Sequence, residues 1–293
     1  MDPARARYLR LQAELGGREV ILTAPLSAAA APEVAAADSS RHLDSEQGTV
    51  GAGPARPADI PPARPAETPF VRPPVHPSDI PRWLKDAPPI PGPGLTVLPP
   101  QGSLLGESGS AWADLAAVAA AVRDCTRCGL CQGRINTVPG EGSPAARLML
   151  VGEGPGATED QTGRPFVGRA GELLTTILGS IDLSREEVFI ANVVKCRPPA
   201  NRKPLPDEIA TCLPYLERQI ALIGPRVLVA LGATAAEALL GVRRSLGDLR
   251  GRVHSYHGIP LVVTYHPAAL LRNPHWKKPT WDDVRIARQL LER

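Results

Sequence analysis

The chain has 293 residues, a formal net charge of +3, 33 prolines and only 4% aromatic residues. It contains no run of about 18 apolar residues to span a bilayer, and its N-terminus lacks the apolar core of a secretory signal, so a cytoplasmic protein is expected. The positive excess falls in residues 112–293, which is compatible with a phosphate-backbone partner without requiring one.

In chain order, residues 4–15 carry apolar and basic side chains at roughly helical spacing. They read either as a short docking helix within residues 1–20 or as a frayed terminus. More than half of the prolines precede Gln101, and residues 21–110 alternate alanine runs with Pro-Pro pairs at Pro61, Pro73, Pro88 and Pro99. With no periodic apolar face, this stretch is expected to be a disordered Pro/Ala-rich linker.

From residue 111 to residue 293 the pattern changes to that of one folded domain. Helices are expected over Trp112 to Arg123, Ala170 to Ile181, Pro206 to about Ile223, Ala233 to Leu240 and Thr280 to Leu291. Strands are expected at Leu148–Val151, Glu187 to Val194, Pro225 to Leu231 and Ile259 to Tyr265. Four short apolar strands between helices predict an α/β fold: three α/β/α layers around a central, mostly parallel four-stranded sheet.

All five cysteines lie in this half, at 125, 128, 131, 196 and 212, and an odd count argues against a disulfide framework. Cys125-x2-Cys128, joined by Cys196 and Cys212 if the fold brings them together, offers four soft ligands. The spacing leaves a structural zinc, an iron–sulfur cluster and unrelated core cysteines all open. Cys131 is the spare.

The first strand runs straight into Gly152-Glu153-Gly154-Pro155-Gly156, a sharp turn at a carboxyl strand end, where ligands bind in open α/β sheets. Asn192 ends the second strand and His266 follows the last. Three loops thus deliver residues suited to polar recognition or acid–base work to one crevice. Taken singly, Asn192 also suits loop bonding and His266 a structural role beside Pro267.

These stretches, with Glu159-Asp160, Thr162 to Gly168, Asn192 to Pro199 and His266 to Arg272, resemble the family 4 uracil-DNA glycosylases. The resemblance covers residues 112–293 and implies a uracil-DNA glycosylase-like fold with a [4Fe-4S] cluster on Cys125, Cys128, Cys196 and Cys212. It implies a monofunctional repair enzyme that flips uracil out of single- or double-stranded DNA and hydrolyses its N-glycosidic bond. Phe166 then stacks on the base, Asn192 reads its edge, Glu159 excludes the thymine methyl, and Gly154 belongs to the substrate contacts. His266 stabilises the leaving uracilate. Glu153 is a candidate to position the water, because the aspartate usual in the best-known uracil glycosylases is replaced by Gly154.

Between His266 and Arg272 the segment Pro267 to Asn273 reads as a loop, with Leu270 as the duplex wedge and Arg272 on a phosphate. Arg243, Arg244, Arg250 and Arg252 form a further basic loop. No histidine follows Cys196 in the stretch to Pro204, unlike a related branch that captures DNA covalently, so turnover is expected. A monomer is expected, with the tether a candidate for binding another repair or replication protein. The competing class is a non-catalytic iron–sulfur or zinc nucleic-acid-binding module, which binds without releasing uracil.

Overall fold

The computed structural model describes residues 80–98 and 112–293. The helix expected within residues 1–20 and most of the linker lie outside the described residues. One sheet organises the rest. Its strands are β1 (Pro93–Val97), β2 (Glu141–Gly142), β3 (Leu148–Gly152), β4 (Phe189–Asn192), β5 (Val227–Leu231), β6 (Val253–Tyr256) and β7 (Ile259–Thr264). They lie in the order β1-β6-β7-β5-β3-β4-β2.

The four expected strands are the middle of this sheet. Strands β7, β5, β3 and β4 are mutually parallel, with Gly152 opposite Asn192 and Leu231 opposite Thr264. The expectation of four strands is corrected to seven. β2 joins antiparallel to β4, β6 antiparallel to β7, and β1 parallel to β6. Sequence pattern concealed these three because β2 has two residues and β1 begins on a proline in the Pro-rich stretch. β6 follows a Gly/Arg-rich turn.

Every residue of β3 and β5 is buried, as continuous apolar runs in a sheet covered on both faces must be. Alternate side chains go to opposite faces. Met149, Val151, Leu228 and Ala230 pack in one layer with the helices Pro206–Ile223 and Ala233–Leu240. Leu148, Leu150, Val227 and Val229 face Leu174 and Leu178 of the helix Arg169–Gly179 and Ile286 of the helix Lys277–Leu291.

A second correction concerns the linker. Within its expected span of 21–110, residues 80–98 pack on the domain. Trp83 is buried with Ile181 and Val284, and the Arg288 guanidinium lies 4.9 Å from its ring centroid. Arg285 and Gln289 donate to the carbonyls of Lys85 and Pro88 at 3.2 and 2.9 Å. Leu95 N–H donates to His254 Nδ1 at 2.9 Å, tying β1 to β6. A proline-rich composition lowers the entropy lost on ordering, so a few anchored side chains suffice to hold it.

No helix among the described residues is long and apolar enough to cross a membrane. The chain passes from β3 to β4 on one side and then to β5 on the other. Such a reversal opens a crevice beyond the carboxyl ends of the strands.

Candidate functional site

Beyond the carboxyl ends of the four parallel strands lie Glu153, directly after β3; Asn192, the last residue of β4; Thr234, in the first turn of the helix that follows β5; and His266, two residues past β7. Gly152 sits at the floor. A Cβ there would lie 2.4 Å from Asn192 Oδ1 and 2.5 Å from Phe166 Cζ, so only glycine lets the amide and the ring converge. Asn192 is 1% exposed, and its Oδ1 has no hydrogen-bond partner. A buried, unpaired acceptor costs about 1–3 kcal/mol, and an N–H group brought by a ligand satisfies it.

The Phe166 ring lies 5.4 Å from that of His266, centroid to centroid, with the planes 32° apart. Phe166 adopts φ +51°, a left-handed conformation that costs a bulky side chain about 1–3 kcal/mol and persists where its surroundings impose it. Glu159 contributes to this. Its carboxylate accepts from the backbone N–H groups of Val167 (2.9 Å), Gly168 (2.8 Å) and Gly156 (3.1 Å). The side chain is thereby tied to the loop that carries Phe166, at the start of the helix Ala157–Thr162.

His266 caps the helix Pro267–Arg272, its Nδ1 accepting from Ala268 N–H at 3.2 Å. An accepting Nδ1 requires the proton on Nε2, so the neutral ring has one free donor. Burial, with the Arg272 charge second, pulls its pKa down to about 4, against the opposing pull of Glu159. The ring is therefore a neutral donor at physiological pH.

Glu153 accepts from Thr234 Oγ1 at 2.5 Å, and its backbone carbonyl accepts from Val194 N–H at 3.1 Å. Gly154 lies against Val194: a Cβ on it would be 2.7 Å from Val194 Cγ2. Thr234 is a site residue that sequence reasoning missed, because nothing in Gly-Ala-Thr-Ala predicts that its hydroxyl meets a glutamate 81 residues away.

The segment expected as a loop from Pro267 to Asn273 is corrected to the helix Pro267–Arg272, capped by Asn273. Leu270 is 1% exposed, whereas Leu271 is 41% exposed. The helix turns Leu270 into the core and leaves Leu271 outward beside exposed Arg272, His275, Trp276 and Lys277. Arg250 is also corrected. It pairs with Asp283 at 2.7 Å and stacks over the Tyr265 ring at 4.3 Å, so it supports the His266 segment from within; Arg243, Arg244 and Arg252 remain exposed.

The cysteines meet in a separate opening lined by Cys125, Cys128, Cys131, Cys196 and Cys212 with Arg134. Arg134 Nη1 donates to Cys196 Sγ at 3.2 Å, and Lys195 N–H to Cys212 Sγ at 3.3 Å. Such N–H···S bonds are typical of the shell around ligating thiolates. Burial pushes the Cys212 thiol up to about 12, and it also raises Cys128 and Cys196. A bound cation must therefore displace protons from them. Among the described residues no three Cys, His, Asp or Glu stand close enough to hold a single metal ion.

Between the two sites lies Lys195, 1% exposed, a residue the sequence did not single out. Its ammonium donates to the Asn192 carbonyl and to Gln219 Oε1.

A model of the Uracil DNA glycosylase superfamily matches residues 139–287. A type-4 uracil-DNA glycosylase of Pyrobaculum aerophilum is 49% identical over 163 residues, covering 52% of this chain and 82% of the relative. Its counterpart in Sulfurisphaera tokodaii is 47% identical over 178 residues, covering 58% and 81%. That of Thermotoga maritima is 51% identical over 154 residues, covering 52% and 80%. Matched to that superfamily over half its length and to these relatives over most of theirs, the chain belongs to the uracil-DNA glycosylase superfamily, among the type-4 enzymes.

Proposed function

We propose that this protein is a monofunctional uracil-DNA glycosylase that excises uracil from DNA and leaves an abasic site for base excision repair. The observation that carries the reading is the orphaned Oδ1 of buried Asn192 facing the Phe166 ring across Gly152. Uracil supplies a flat face for the ring, an N3–H for Oδ1 and an O4 for the amide NH2. Cytosine reverses both polar groups and leaves them unpaired, at a cost large enough to exclude it.

Cleavage of the C1′–N1 bond sends its electron pair into the base, where negative charge gathers on O2. Neutral His266 donates from Nε2 to that oxygen, and because the ring carries no charge at neutral pH it is not repelled by nearby cations. The positive sugar is captured by water. Glu153, its carboxylate fixed by Thr234, is the group on this wall able to orient that water and accept its proton. Leu271, exposed at the rim with Arg272, replaces Leu270 as the side chain that fills the vacated stack.

Cys125, Cys128, Cys196 and Cys212 hold the [4Fe-4S] cluster in this reading. The convergence of the four thiols on one opening and the N–H···S bonds from Arg134 and Lys195 support it. The bound group would cross-link the segment before β2, the segment after β4 and the helix Pro206–Ile223.

The test is release of free uracil from single- and double-stranded oligonucleotides bearing one uracil, by the wild type and by Asn192→Ala and His266→Ala. Each substitution is expected to lower kcat by about 10²–10³-fold. Binding of these oligonucleotides by brown, cluster-loaded protein without any release of uracil supports instead the non-catalytic binding module.

A further inference from the structure

The strained backbone of Phe166 is held from both sides by charged side chains, and only one side has been accounted for. Glu159 takes the N–H groups that follow the ring. The carbonyls that precede and belong to it are taken by Arg185, which lies between the helix Arg169–Gly179 and β4. Arg185 Nη1 donates to Phe166 O at 2.9 Å and Nη2 to Pro165 O at 2.7 Å.

Arg185 is itself held. Its side chain is 13% exposed, and Glu141 Oε1 lies 3.7 Å from Nη2. The same carboxylate grips Arg164, two residues before Phe166, through Nε at 2.7 Å and Nη2 at 2.8 Å. The backbone of Gly171 is packed against the same peptide: a Cβ there would lie 1.9 Å from Phe166 O. The carbonyl can neither rotate toward Gly171 nor leave Arg185 without losing a charge-assisted hydrogen bond.

We infer that Arg185 is a positioning residue for uracil recognition: by holding the carbonyls of Pro165 and Phe166 it fixes the plane of the ring on which the base stacks. This rests on the stacking role given to Phe166 above. The planar guanidinium is suited to it because one fork reaches two successive carbonyls, whereas an ammonium meets one at a time. Arg185 touches neither base nor DNA in this role and acts through the ring alone.

Four full-length variants test it: Arg185→Gln, Arg185→Lys, Phe166→Leu and the double variant Arg185→Gln/Phe166→Leu. Single-turnover excision from a single-stranded oligonucleotide is measured with inhibition by free uracil. Arg185→Gln is expected to lower excision about tenfold and to weaken uracil inhibition by a similar factor, with Arg185→Lys intermediate. In the Phe166→Leu background, Arg185→Gln should add nothing, because the ring through which it acts is gone. A multiplicative loss in the double variant, or unchanged uracil inhibition in Arg185→Gln, overturns the inference. If Arg185→Gln fails to fold, Arg185→Lys with and without Phe166→Leu carries the same comparison. A Phe166→Leu enzyme that matches the wild type in both assays refutes the stacking role itself, and the role of Arg185 with it.

Discussion

The ammonium of Lys195 donates to the backbone carbonyl of Asn192 at 2.8 Å while the backbone N–H of Lys195 donates to Cys212 Sγ at 3.3 Å. One buried residue therefore joins the strand end that carries Asn192 to the cavity of the cysteines. Gln219 completes the link, accepting from Nζ at 2.6 Å and donating to the Pro139 carbonyl at 2.7 Å. Burial lowers the Lys195 pKa to about 8, the sign of a charge held away from water.

Lys195→Met should remove the desolvation cost of the charge but leave Gln219 Oε1 and the Asn192 carbonyl buried without a donor. The net loss is expected to be about 2 kcal/mol, or about 4–8 °C in Tm for a domain of this size. Excision should fall with it. Thermal melting followed by circular dichroism checks the first expectation; an unchanged Tm would show that the link carries no stability.

The low pKa of His266 fixes the direction of a pH effect. Its folded value of about 4 lies below the ordinary histidine value of 6.5, so between these values the unfolded chain binds more protons. Its contribution to stability is present above pH 6.5 and is lost as pH falls toward 4. Urea midpoints at pH 5 and pH 7 should differ less in His266→Gln than in the wild type. Excision assisted by a neutral ring, as proposed, should not decline as pH rises through 6.5. A rate that drops there would assign catalysis to the imidazolium.

Neighbouring leucines should separate stability from function. Leu270→Ala opens the core beneath the helix and is expected to cost about 2–5 kcal/mol, read from urea unfolding. Leu271→Ala should leave the urea midpoint nearly unchanged and slow excision from double-stranded DNA far more than from single strands, because only a duplex leaves a stack to fill. Equal slowing on both substrates would remove Leu271 from the wedge role.

Trp83 tests whether the segment ahead of the domain belongs to its core. Trp83→Ala is expected to cost about 3–5 kcal/mol, seen as a fall in urea midpoint, with uracil affinity little changed. The side chain packs beneath the C-terminal helix, among residues outside the pocket.

The sequence by itself determined the parallel centre of the sheet and the residues at its carboxyl ends. Runs such as Leu148–Val151 and Val227–Leu231 are apolar throughout because both faces are covered, and that pattern is local. Asn192 and His266 were legible for the same reason: one ends a recognisable strand and the other lies just past one, and strand ends converge whatever lies between them. What only the tertiary structure decided is contact between residues distant in sequence. Composition placed Trp83 and β1 in a linker, but buried partners on the last helix and on β6 hold them. Helical phase, set by the His266 cap, put Leu270 inside and Leu271 outside. The partners of Glu153, Phe166 and Lys195 are Thr234, Arg185 and Gln219, each in a different segment. Pairings of that kind depend on how layers pack in three dimensions, and no periodicity along the chain encodes them.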